Sequence, residues 1–332
     1  MTGRVPAGTL LTFTEVRLVA KLKPFLTYEQ QLDKLIDEKN LVIKDRRYAE
    51  DMLSQVGYFT LISGYKHLYR NPTTKKYKDG TTFEEIVALY RFDEMIRELF
   101  LKYLLVVEQN MRSQISYYFT QHYGENQVHY LSPSNYNNIP KHVNGINKLI
   151  SVLSNIATVS TDNDYIAYHR NTYGNVPLWV LVKVLSFGNI SHMYQYLPNS
   201  IQVKISKAFH KVNEQELMRY LRVLTKFRNV CAHNERLFSY KLSKEDIPDT
   251  SMHNKLQIAK KGNQFLLGKR DLFCVVISLR YLLREKDFKQ FKGKLGRIIN
   301  QYLANTTHVI ESDLLDKMGF PSNWKKISSY RL

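Results

Sequence analysis

The residues Arg228-Asn229-Val230-Cys231-Ala232-His233 form the pattern R-N-x-x-x-H, whose side chains suit chemistry on a phosphodiester. An imidazole titrates near neutral pH and so can take or give a proton during bond cleavage. A guanidinium can grip two oxygens of a phosphorus centre as negative charge builds there. Asn229, one helical turn before His233, can orient His233 or Arg228. Cleavage through attack of a ribose 2′-hydroxyl needs no metal and no cofactor, and because DNA lacks that hydroxyl the expected substrate is RNA. Arg228, Asn229 and His233 are therefore the expected catalytic residues.

At 100° per residue these three side chains fall within an arc of about 140°. Arg222 and Lys226 share that sector, while Val223, Phe227, Val230 and Cys231 fall on the opposite side. The pattern thus occupies the polar side of an amphipathic helix expected over 214–233. The bland alternative is a helix that ends in a solvated Arg and His. A single copy of the motif supplies one imidazole, whereas acid and base together call for two. A homodimer with two motif helices face to face supplies the second.

Glu108 and Arg112 form an i,i+4 pair, which reads either as an exposed helix salt bridge or as Arg112 reaching the site with Glu108 positioning it. Arg236 reads either as a phosphate contact or as a cation at a helix C-terminus. His122, His192 and His210 are scattered singly, which favours structural roles. The sequence has no H-E-x-x-H, Walker A loop or zinc-type Cys/His spacing, so no metal site is expected.

The chain has 332 residues, 48 basic against 30 acidic side chains and a formal net charge of +18. The excess points to a polyanion, with nucleic acid ahead of an anionic membrane surface, or else to an ordinary basic surface. Tyrosines and phenylalanines, 23 and 16 of them, often stand beside cations, as in Lys75-Lys76-Tyr77-Lys78. Exposed rings among cations fit single-stranded RNA, although many such rings belong to a core. The expected RNA contacts are Lys21, Lys23, Lys44, Arg46, Arg47, Lys75, Lys76, Lys78, Arg222, Lys226, Lys260, Lys261, Lys269 and Arg270. Cys231 and Cys274 are too few for a disulfide framework and fit a reducing compartment. With neither a signal peptide nor a membrane span read, the expectation is a cytoplasmic protein.

Apolar residues recur mostly at helical spacing, so the expected fold is all-α. An N-terminal arm is expected over 1–20 and a helical region, a candidate for RNA binding, over 21–80. A helical domain over 81–332 carries the motif. Helices are expected over 27–40, 45–55 and 58–69, with a loop or small hairpin over 71–82. One helix or two fill 83–123. Further helices are expected over 141–155 and 164–173, from Pro177, over 189–196 after an interruption at Gly188, and over 270–284 and 288–304. A tail around Gly319-Phe320-Pro321 follows.

Several segments together resemble the Abi-like abortive-infection family, the AbiD and AbiF group of bacterial anti-phage proteins. They are Lys23-Pro24-Phe25-Leu26-Thr27-Tyr28, Gln31-Leu32, Gly57-Tyr58-Phe59, Ser63-Gly64-Tyr65, Tyr90-Arg91-Phe92-Asp93 leading to Glu108 and Arg112, Pro177-Leu178-Trp179, Ser186-Phe187-Gly188, Arg228-Asn229-x-x-Ala232-His233-Asn234-Glu235-Arg236-Leu237, and Met318-Gly319-Phe320-Pro321-x-x-Trp324. The resemblance runs from about Leu22 to Trp324. It implies a HEPN-type helical bundle with added N- and C-terminal helices, and a toxin-like ribonuclease used in phage defence. A structured non-coding RNA is an implied partner, as inhibitor or guide. Lys183 departs from the family, where an acidic residue is expected. Two alternatives remain: an RNA-binding protein that holds the non-coding RNA without cutting, and a sensor that uses the scaffold only to dimerise.

Overall fold

The computed structural model describes residues 23–332, and the expected arm over 1–20 and Lys21 lie outside the described residues. The fold is mostly α. In chain order the helices are α1 (Tyr28–Asp33), α2 (Arg46–Val56), α3 (Phe83–Tyr123), α4 (Gln127–Tyr130), α5 (Val143–Thr158), α6 (Asp164–Tyr173), α7 (Leu178–Leu181), α8 (Phe187–Tyr196), α9 (Asn199–Ser206), α10 (Glu214–Ala232), α11 (Ser251–Lys255), α12 (Leu272–Leu282), α13 (Glu285–Ala304) and α14 (Glu311–Met318). A two-stranded hairpin, β1 (Lys260–Lys261) and β2 (Gln264–Phe265), sits between α11 and α12.

The stretch over 83–123 is one helix of 41 residues. Its interior holds neither Gly nor Pro, and Thr82 starts it with a reciprocal cap: Glu85 N–H donates to the Thr82 hydroxyl, and Thr82 N–H donates to the Glu85 carboxylate. At 1.5 Å per residue it is about 60 Å long. The remaining elements pack around it: α13, α10, α7, α8, α9 and α12 all contact α3. Every residue of α12 is buried, and α10, α13 and α3 surround it.

Several expectations need correction. The segment 58–69 is not one α-helix but a π-helical turn (Phe59–Ser63) followed by a 3₁₀ turn (Lys66–Leu68). Gly64 lies between them, and its carbonyl is taken by Arg236 rather than by regular helix pairing alone. Gly188 does not interrupt α8 but lies in its first turn, after the Ser186 cap. α9, α14 and the hairpin were not anticipated. The expected tail is core: Trp324 is fully buried and stacks edge-on against Phe320, which packs on Phe273 of α12. Among the described residues no helix is long and apolar enough to cross a membrane.

Candidate active site

α10 starts at Asn213, whose side chain accepts from Glu216 N–H while the Glu216 carboxylate accepts from Asn213 N–H. Leu217, Tyr220, Leu221, Val223, Leu224, Phe227, Val230 and Cys231 are buried on one side. Arg222, Lys226, Asn229 and His233 are exposed on the other. Burial pushes the Cys231 thiol up to about 12, so it stays a neutral core group.

The helix ends at His233, whose N–H donates to the Asn229 carbonyl at 2.9 Å. Asn234 then takes φ +56°, and Glu235 N–H returns to the Val230 carbonyl at 3.0 Å. This is a Schellman cap with Asn in the left-handed position, where its short polar side chain is tolerated. It accounts for Asn234 without any role in chemistry. It also holds His233 at the open end of the helix.

Arg228 is only partly exposed. Its Nε lies 3.4 Å from Oε2 of Glu108, a carboxylate buried in α3. The other carboxylate oxygen accepts from Arg112 at 2.5 Å, and Arg112 also donates to the Leu185 carbonyl at 2.6 Å, just ahead of α8. One buried acid therefore holds two guanidiniums and ties α3 to both α10 and the entry to α8. The reading of Glu108–Arg112 as an exposed salt bridge is corrected, because the acid is buried and shared with the motif arginine. Neither Arg228 Nε nor Glu108 Oε2 has an aligned hydrogen bond, so charge rather than direction holds that contact.

Arg236 donates to the Gly64 carbonyl, which tethers the residues after the motif to the N-terminal region. The next two residues meet a side chain that the sequence reading missed. Asp93 of α3, with none of its surface exposed, accepts from Leu237 N–H at 3.1 Å, Phe238 N–H at 2.6 Å, Tyr65 O–H at 2.7 Å and Arg97 at 2.6 Å. Burial pushes its carboxyl up from the ordinary aspartate value, and Arg97 and the other donors oppose that shift. The available signal was an Asp on an apolar stripe of α3 with an Arg one turn later.

His192 of α8 is exposed and stacks on Tyr196. Partial burial together with Arg222 and Lys226 lowers its pKa from the ordinary histidine value. α8 packs on α10, and a Cβ at Gly188 would meet Thr225 at 3.8 Å.

The expected RNA contacts divide. Lys23, Lys44, Arg47, Lys75, Lys76 and Lys261 are exposed. Arg46 is exposed but ion-paired with Asp33 at 2.8 Å. Lys260 lies over the Phe265 ring at 4.3 Å, and Arg270 donates to the Ser243 carbonyl at 3.4 Å. Lys269 is corrected from a surface contact to a structural one: it bonds Asp249 at 2.6 Å and the Ile247 carbonyl. Lys78 bonds the His308 carbonyl at 3.2 Å. The Tyr77 ring is buried, so it offers no stacking face.

Exposed rings occur elsewhere. On α6, Tyr165, Tyr168 and Tyr173 are exposed, with Tyr168 and Tyr173 centroids 5.9 Å apart and His169 5.5 Å from Tyr173. Lys183 lies 5.6 Å from the Tyr165 centroid, a contact that accounts for a cation at that position. α6 packs on α7, which exposes Trp179. Trp179 and Tyr117 flank a hollow of about 460 Å³ whose lining includes Ser116, one turn beyond Arg112 on α3.

Neither a curated protein nor a solved structure matches the chain. One family model does, over residues 51–239, a span from α2 to just past the motif that takes in Glu108, Arg112, Arg228, Asn229 and His233, and on that match the chain belongs to the Abi-like protein family.

Proposed function

We propose that the chain is a HEPN-type endoribonuclease of the AbiD and AbiF group that cleaves RNA without a metal. Membership of the Abi-like family supports a role in abortive infection. The observation that carries the enzymatic reading is Arg228, held by the buried Glu108, beside the exposed Asn229 and His233 at the end of α10. In the reaction an imidazole takes the 2′-hydroxyl proton, and the 2′-oxygen attacks the adjacent phosphorus. The bond to the 5′-oxygen breaks, and a second imidazole protonates that leaving oxygen. The products are a 2′,3′-cyclic phosphate and a 5′-hydroxyl. Arg228 offsets the negative charge gathering on phosphorus. Two copies of α10, apposed through Arg222, Lys226, Asn229 and His233, supply both imidazoles and concentrate positive charge around one phosphate.

The test is incubation of purified protein with RNA in EDTA. Cleavage that persists in EDTA, leaves cyclic-phosphate ends and disappears in His233→Ala is expected. Cleavage unchanged in His233→Ala, or abolished by EDTA, sinks the mechanism.

The exposed rings of α6, with Lys183 beside Tyr165, favour a second reading that is compatible with the first. In it the protein holds a structured non-coding RNA, stacking unpaired bases on those rings. Retention of that RNA by His233→Ala, and its loss in Tyr168→Ala/Tyr173→Ala, are the expected results. Undiminished binding by the double variant counts against this surface.

A further inference from the structure

One hollow among the described residues is remote from the motif pattern in sequence and unused by the mechanism above. It has a volume of about 730 Å³ and opens between the end of α12, the turn after α9 and the last residues of the chain, with Asn110 and Gln114 of α3 in its wall. That volume lies in the range of small-molecule sites. We propose that it binds a mononucleotide.

Its charge is mainly positive. Arg280, Arg284, Arg331 and His210 line it. The acidic side chain in the wall, Glu285, is already engaged by Lys289 at 2.7 Å. Arg280 is the central group. It is almost wholly buried, sits 5.3 Å from the Phe288 ring centroid, and donates to the Tyr330 carbonyl at 3.1 Å. Its Nε–H is buried with no acceptor. Arg280, Arg284 and Arg331 form no ion pair among the described residues, so their guanidiniums are left to attract an anionic oxygen in the hollow. Phosphate is the natural partner because the guanidinium fork matches its oxygens.

The rest of the wall suits a planar, hydrogen-bonding group. Tyr330, partly exposed, supplies an aromatic face, and the Asn110 and Gln114 amides offer both donors and acceptors. Cations that suit a phosphate, together with amides and a partly exposed ring, are the chemistry of a nucleotide. A lone inorganic anion would use only the first set.

The experiment is titration calorimetry on the full chain with ATP, GTP, adenosine and tripolyphosphate, each to millimolar concentration. ATP or GTP is expected to bind at one site and raise Tm, with adenosine and tripolyphosphate each at least about tenfold weaker. Arg280→Gln and Arg284→Glu are expected to weaken the nucleotide by about tenfold or more, while Lys148→Glu, an exposed cation on α5, leaves it unchanged. Arg284 is exposed, so its variant remains informative if Arg280→Gln fails to fold. No binding by either nucleotide, or equal loss in Lys148→Glu and Arg284→Glu, overturns the proposal. Tripolyphosphate binding as tightly as ATP also overturns it, in favour of an inorganic polyanion.

Discussion

The Glu108 carboxylate of α3 and the Arg228 guanidinium of α10 lie 3.4 Å apart, with the acid buried and Arg112 on its other oxygen. The pair joins the centre of the fold to the motif. Glu108→Ala leaves two guanidiniums without their counter-charge and is expected to cost about 3–5 kcal/mol in urea unfolding. Glu108→Gln keeps the shape and one acceptor, so it is expected to fold. Because charge rather than an aligned bond holds Arg228, Gln is expected to slow single-turnover RNA cleavage by about a hundredfold. Full activity in a folded Glu108→Gln would remove the carboxylate from the positioning of Arg228.

Asp93 gathers four donors from three parts of the chain. Asp93→Ala strands buried donors and is expected to destabilise by about 3 kcal/mol or more. Amide exchange at Leu237 and Phe238 should quicken well beyond the increase at α13, since those two N–H groups lose their acceptor. Uniform change across the protein would show that Asp93 does not hold this segment.

Glu85 fixes the pH response on the acid side. Its carboxylate accepts from Thr307 N–H at 2.9 Å, His308 N–H at 3.2 Å, the Thr306 hydroxyl at 3.0 Å and His308 Nδ1 at 2.8 Å. Although burial opposes it, these bonds hold the carboxyl down from the ordinary 4.5 to about 2. A depressed acid favours folding at every pH above its unfolded value, and that contribution is lost as pH falls from about 4.5 through about 2. Its size is on the order of 3 kcal/mol. Glu85→Gln should flatten the stability curve in that window and lower stability at neutral pH. A curve parallel to that of the wild type would rule Glu85 out as the source.

Asn234 is expected to be replaceable. Asn234→Gly keeps the left-handed cap and should leave both Tm and cleavage close to wild type. Asn234→Ala should cost about 1 kcal/mol, because a Cβ is disfavoured at positive φ. A Gly variant that loses cleavage while keeping Tm would give Asn234 a chemical role.

The motif helix and its polar face were legible because nineteen residues of amphipathic period leave little ambiguity. The mostly-α fold was legible for the same reason. α9 and α14, with eight residues each, and the two-residue strands are too short to show a period. Asp93 and Glu85 were missed because an isolated acid in a helix looks solvated until its partners are known. For Asp93 those partners lie as far as 145 positions along the chain. Lys269 and Tyr77 misled in the opposite way: local sequence placed them among surface cations, while tertiary contacts drew them inward.

The acids that α3 buries at 85, 93 and 108 impose an order on biosynthesis. The helix emerges early, and its carboxylates stay hydrated until the segments that claim them are made: residues 228 and 237–238 first, then 306–308. A nascent chain halted anywhere before Thr306 leaves the Glu85 carboxylate with only the Thr82 N–H of its own helix cap among its hydrogen-bond partners. Closure of the fold therefore waits on sequence translated more than two hundred codons after Glu85, and a ribosome stalled in that interval would hold an unfinished chain.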